Sequence, residues 1–176
     1  MATLQDVAQS RRTIAWMALA FVALHNAEEA FALRTYFPRL AGLLPEPFAE
    51  VVGGLSYPAM LQALVVVTVV VACVALATAI RPQSPGALWA LLTLEAVMAI
   101  NAIAHVASAL FVFRGYGPGL LTALLFNAPF AAWCFRRAHR ERWISVPAMR
   151  ATVPAAIVLH GPVLACGLWL VGAVAN

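Results

Sequence analysis

The 176-residue sequence contains no lysine: all 11 of its basic residues are arginine, they face only 7 acids, and charged residues make up just 10% of the chain. A soluble domain carries about 25% charge. With 64% of the residues hydrophobic and a mean hydropathy of +0.89, a soluble globular protein is excluded. Cysteine is equally sparse: Cys73, Cys134 and Cys166 stand alone inside apolar runs, without CxxC or other ligand spacing, so no disulfide framework is expected. There is no internal repeat and no low-complexity segment. Nor is a cleavable leader expected. The run after Met1–Arg12 carries His25, Glu28 and Glu29 and lacks a small-residue cleavage pattern, so it reads as a retained first helix.

What the chain does have is long stretches free of charge, at about 14–33, 57–80, 87–113, 118–135 and 152–175. Breakers separate them. Pro38, Pro45, Pro47 and Gly53-Gly54 mark the first loop, Arg81-Pro82 and Pro85-Gly86 the second, Gly115 to Gly119 the third, and an arginine cluster with Pro147 the fourth. Five spans of about 20 residues, at ~1.5 Å rise each, consume roughly 100 residues and leave only short loops. The expectation is therefore an all-α, polytopic membrane helix bundle of about five transmembrane helices, with residues 1–176 as a single integral membrane domain. The segment from Phe37 to Gly54 is too short and proline-broken to span, and alternates Leu40, Leu43, Leu44, Phe48 and Val51 with polar positions. It reads as an interfacial or re-entrant piece at one end of the bundle.

An odd number of spans puts the termini on opposite sides. Eight arginines fall on the N-terminal side (11, 12, 81, 136, 137, 140, 142 and 150) and three on the other (34, 39 and 114). Arginine excess marks the cytoplasmic face, so the N-terminus is expected inside and the C-terminus outside. The basic balance thus reports orientation in a cytoplasmic membrane rather than nucleic-acid binding. Trp16, Trp89, Trp133, Trp143 and Trp169 read as interface anchors.

Against this background His25-Asn26-Ala27-Glu28-Glu29 lies in the second half of the first span. Each ionised group there costs about 2.5–3.5 kcal/mol on insertion scales. At about 100° per residue, Glu28 and Glu29 flank His25 on one helix face. In the third span Asn101 and His105 are four apart and share a face, with Glu95 further toward the cytoplasmic side. His25, Glu28, Glu29, Asn101 and His105 all fall between mid-membrane and the outer leaflet, and His160 lies nearer the middle of the last span. Asn127 and Gln62 read as interhelical hydrogen-bonding groups. Glu29 has an alternative reading as a partner of Arg34 or Arg39. Gly115-Tyr116-Gly117-Pro118-Gly119 is not spaced as a nucleotide loop and reads as a tight turn from which Tyr116 can tip its hydroxyl into the site.

These residues, the Phe37-Pro38 segment, Asn101-xxx-His105 and Arg114-Gly-Tyr116-Gly-Pro118-Gly119-Leu-Leu-Thr122 resemble the HXXEE-motif family of small bacterial membrane proteins, over roughly residues 14–135. The resemblance implies membership and a bacterial membrane, and leaves activity open.

Three chemistries suit the constellation. The first is a divalent metal, zinc or iron, held by His25, His105 and Glu28 or Glu29, with His160 as a further ligand and Asn101 orienting one of them. It would make the protein a metal-dependent enzyme, a hydrolase or oxygenase, acting on a membrane lipid or another hydrophobic small molecule. The second is metal-free acid/base catalysis by the glutamates and histidines, suited to an isomerase or cyclase of isoprenoid-like substrates. The third is a small transporter or proton relay.

Overall fold

Thr3 opens the first helix with a capping box, its hydroxyl accepting the Asp6 N–H at 3.1 Å while its own N–H donates to the Asp6 carboxylate at 2.9 Å. The computed structural model describes residues 3–44, 46 and 48–175. They form α1 (Leu4–Leu43), the short α2 (Phe48–Gly53), α3 (Tyr57–Ile80), α4 (Pro85–Phe111), α5 (120–140) and α6 (146–175). The architecture is all-α, with five long helices. Three of these, α3, α4 and the Val146–Ala173 stretch of α6, are long and apolar enough to cross a membrane.

Several expected boundaries move, each for a local reason. Ser56, Ser84 and Ser145 cap α3, α4 and α6 by accepting the N–H three residues on, and in each helix a proline occupies the first or second position. Proline is favoured there because its missing N–H would have no helical partner. Pro85 and Pro147 thus start helices rather than separate them, and α6 begins six residues before the expected 152. Pro38 does not break α1 either. It lies within the last two turns, and the helix runs on to Leu43 before the Leu44 N–H closes on Leu40 O at 3.2 Å. The segment expected to be interfacial or re-entrant is a helical extension followed by α2, and the described residues show no re-entrant piece; Pro45 and Pro47 lie outside them.

Polar ties fix how the helices run. Arg11 Nη1 donates to Pro82 O at 3.2 Å and Arg12 Nε to Ala79 O at 2.9 Å, holding the start of α1 against the α3–α4 turn. Trp89 Nε1 donates to Ala148 O at 3.0 Å, joining the start of α4 to the first turn of α6. The Arg11 guanidinium lies over the Trp143 ring at 5.4 Å. One end of the bundle thus gathers the start of α1, the α3–α4 turn and the α5–α6 turn, which carry the eight arginines. At the opposite end Tyr57 Oη donates to Ala30 O at 3.0 Å and Tyr36 Oη to Tyr116 O at 3.1 Å.

Inside the arginine-bearing end, Ile14, Ala15 and Ala18 of α1 pack on Leu88, Leu91 and Leu92 of α4 and on Cys134 and Ala138 of α5. The alanines let the backbones approach closely, as expected where apolar burial gives no drive between helices in lipid. On α3 the opposite pattern holds, with Val65, Val66, Val69 and Val70 all more than half exposed. Trp143 is almost fully buried, so it anchors the α5–α6 turn rather than resting at a surface.

The long helices alternate in direction, so Leu4 and Ala175 lie at opposite ends. Reporter fusions at the two termini are expected to report opposite compartments in whole cells. Agreement between them would mean that one long helix does not cross.

Candidate functional site

The helical turn His25–Glu29 distributes its polar groups to three neighbouring elements. Asn26 turns toward α3, where its Nδ2 donates to Leu64 O at 3.2 Å and Thr68 Oγ1 at 2.8 Å. His25 faces α4 and α5 and is fully buried. Glu28 reaches the start of α5, accepting the Tyr116 hydroxyl at 2.6 Å, the Leu121 N–H at 3.1 Å, the Thr122 N–H at 2.7 Å and the Thr122 hydroxyl. A carboxylate over the first turn of a helix satisfies N–H groups that have no helical partner. Tyr116, in the loop outside the spans, has its hydroxyl pushed up to about 12, first by burial and then by the hydrogen bond to Glu28 and the charge on it. It stays a neutral donor at any working pH.

The hydrogen bonds also assign the His25 tautomer. Thr122 has one hydroxyl proton, and its short contact to Glu28 takes it. The oxygen then accepts from His25 Nδ1 at 3.0 Å, which places the imidazole proton on Nδ1 and leaves Nε2 with a free lone pair. Asn101 Nδ2 points at that lone pair from 3.3 Å. Glu29 Oε2 lies 3.8 Å from it.

His105 completes the group. Its ring meets that of His25 edge to face, with centroids 4.8 Å apart and planes at 75°. One ligating atom each from His25, Glu29 and His105 lies within 4.8 Å of the others. Donors around a tetrahedral ion at about 2.0–2.1 Å stand roughly 3.3 Å apart, so small side-chain rotations would close the set. The Glu29 side chain keeps 22% of its surface exposed, leaving the group reachable from outside the bundle.

Gly119 explains how two imidazoles come so close beneath the loop. At φ +77° it adopts a left-handed conformation, and a Cβ there would stand 2.7 Å from His105 Cε1 and 2.8 Å from His25 Cε1. Only glycine fits both demands. Sequence reading treated this stretch as a turn and gave Thr122 no role. The signal available was Gly-Pro-Gly followed three residues on by Thr, a pattern that sets a hydroxyl at a helix start.

The remaining candidates separate. His160 sits on a π-helical turn of α6, Leu159–Val163, where Pro162 removes a backbone donor; the turn packs on α4, but His160 is outside the three-residue group. Glu95 is buried among apolar neighbours and also outside it. Asn127 closes a second π-helical turn, Ala123–Asn127, and its buried Nδ2 finds no partner among the described residues, so that nitrogen does not make the interhelical bond expected of the amide. No ion pair joins Glu29 to Arg34 or Arg39 among the described residues.

A family profile described as a protein of unknown function with HXXEE motif matches residues 16–134. The chain belongs to the HXXEE family. The five residues of the motif are His25 to Glu29, so in this member the motif's three named residues are the imidazole over α5, the carboxylate that holds α5, and the carboxylate open to the cluster. No curated protein and no solved structure matches the chain.

Gly119→Ala is expected to destabilise the protein by about 1–3 kcal/mol, from overpacking against the imidazoles plus left-handed strain. Thermal unfolding in detergent measures it. Unchanged melting would mean that the loop does not sit over the histidines.

Proposed function

We propose that this HXXEE protein is an integral membrane enzyme that binds a divalent metal, zinc or iron, through His25 Nε2, His105 and Glu29, and acts on a hydrophobic, lipid-like substrate. The observation that carries the reading is the juxtaposition of two imidazoles and one carboxylate, from α1 and α4, within 4.8 Å. Three protein ligands leave a coordination position for water or substrate, the pattern of catalytic rather than structural sites. A dication also offsets the cost of placing Glu29 inside the bundle. The fixed His25 tautomer supports the same conclusion. A ligating histidine commonly donates its other N–H to a carboxylate, and here Glu28 fulfils that role through the Thr122 hydroxyl.

The metal would supply Lewis-acid activation of water or a carbonyl, or of dioxygen if it is iron. The chain would hold and orient it, and Tyr116, as a neutral donor to Glu28, would help keep the loop closed above it. Glu28, with four donors directed at it, is unavailable as a ligand. We assign it to positioning, and leave His160 outside the proposed ligand set. With the arginine-bearing end at the cytoplasmic face, the cluster lies in the outer half of the membrane.

A second reading, acid/base catalysis without metal, draws on the 3.8 Å approach of Glu29 to His25 Nε2. Metal analysis of the detergent-purified protein separates the two. The metal reading expects one divalent ion per chain, lost in His25→Ala and His105→Ala. Glu28→Gln and Thr122→Val should weaken metal affinity about 10–100-fold without removing a ligand. Protein purified without stoichiometric metal, and unable to take up zinc or ferrous ion, would overturn the reading in favour of the acid/base one.

A further inference from the structure

At the arginine-bearing end, away from the cluster of His25 and His105, two grooves meet. One, of about 1020 Å³, is lined by Trp89, Trp143, His139, Arg140 and Arg142 together with the first turn of α6. The other, of about 590 Å³, runs along α5 past Trp133, Phe135 and Arg136, and shares His139 and Arg140 with the first. The local acid does not neutralise them. Glu141 is taken by Arg137 Nε at 2.7 Å and Trp143 Nε1 at 2.8 Å. Neither Arg140 nor Arg142 has a side-chain hydrogen bond or ion pair among the described residues.

The backbone singles out Arg142. The end of α5 closes as a Schellman motif, with Trp143 N–H on Ala138 O at 3.0 Å and Arg142 N–H on His139 O at 3.4 Å. The motif requires a left-handed residue at position 142, and Arg142 supplies it at φ 51°. Glycine is the usual residue there because it has no Cβ to strain. Here an unpaired guanidinium occupies the strained position, at the mouth of a groove.

We propose that the joined grooves bind one anionic membrane phospholipid, its phosphate between Arg140 and Arg142 and one acyl chain in the groove that Trp133 and Phe135 help to line. Charge complementarity selects the headgroup, and the aromatic rings of Trp133 and Phe135 in the adjoining groove fit a chain rather than a free anion. Trp89 and Trp133, which help to line the two grooves, suit the boundary between headgroup and hydrocarbon. The proposal goes beyond the metal reading and does not depend on it. It rests only on this end lying at a membrane surface.

The test titrates dioleoyl-phosphatidylglycerol and dioleoyl-phosphatidylcholine into the full-length protein in detergent, counting bound lipid by native mass spectrometry. The wild-type protein should retain phosphatidylglycerol preferentially. Arg140→Gln and Arg142→Gly should each cut that preference roughly fivefold, while Arg150→Gln, at the same end but outside both grooves, leaves it intact. Arg142→Gly relieves the left-handed strain, so it should melt no lower than wild type, which separates lost binding from lost folding. Equal retention of the two lipids by wild type would overturn the proposal. So would an equal loss in Arg150→Gln, which would indicate a diffuse charge effect, or displacement of phosphatidylglycerol by millimolar inorganic phosphate, which would indicate a free-anion site. Metal content should be the same in all three variants.

Discussion

The arrangement of the histidine cluster depends on one carboxylate. Glu28 accepts two hydroxyl protons and two backbone N–H groups from the loop and first turn of α5. Charge-assisted bonds of this kind are about twice as strong as neutral ones. In a bundle with little water to compete for them, they fix α5 in height and rotation against α1. The position of Gly119 over both imidazoles and the proton on His25 Nδ1 follow from that register. Replacing Glu28 by a group that cannot accept from Thr122 would leave the N–H and hydroxyl of that buried residue unpaired, at about 1–3 kcal/mol for each group.

Two adjacent acids therefore have divided roles. Glu28 and Glu29 differ by about 100° around α1, and that rotation turns one toward backbone donors and the other toward two histidines. The first is saturated, and the second stands 3.8 Å from His25 Nε2 and within 4.8 Å of a ring nitrogen of His105. Saturation makes Glu28 a structural element of the site, and incomplete pairing makes Glu29 the group able to take a further ligand. The lone pair on His25 Nε2 points the same way, since among the described residues only the Asn101 amide, at 3.3 Å, is hydrogen-bonded to it.

Much of this was legible in the sequence, and the parts that were not share a cause. Charge-free length gave the five long helices, and the spacing of Asn101 and His105 placed both on the α4 face that meets His25. Proline misled where position within the helix mattered more than the residue: Pro85 and Pro147 initiate helices, and Pro38 is carried near the end of one. The roles of Glu28 and Thr122 were invisible because they depend on how far α5 is lowered against α1, a tertiary distance that no spacing within one helix encodes. The four donors that engage Glu28 lay beyond the sequence for the same reason. A carboxylate in an apolar run looks available until its donors on another helix are located.

The polar turn also accounts for the unequal character of the helices. Among the three apolar candidate spans, α4 is the most buried, and it faces α1 across the cluster. α1 has His25 to Glu29 where α3 has valines, and so it is not among those three. Its polar face is nonetheless turned inward: His25 and Asn26 are buried, while Phe31 is 83% exposed. A helix that hides its polar residues and presents its aromatic ones has the pattern expected when the surrounding solvent is hydrocarbon and the polar groups find their partners in protein. The same inversion lets a single turn of α1 hold α3 through Asn26, α5 through Glu28 and α4 through His25, so the residues that keep α1 out of those three spans are those that bind it to its neighbours.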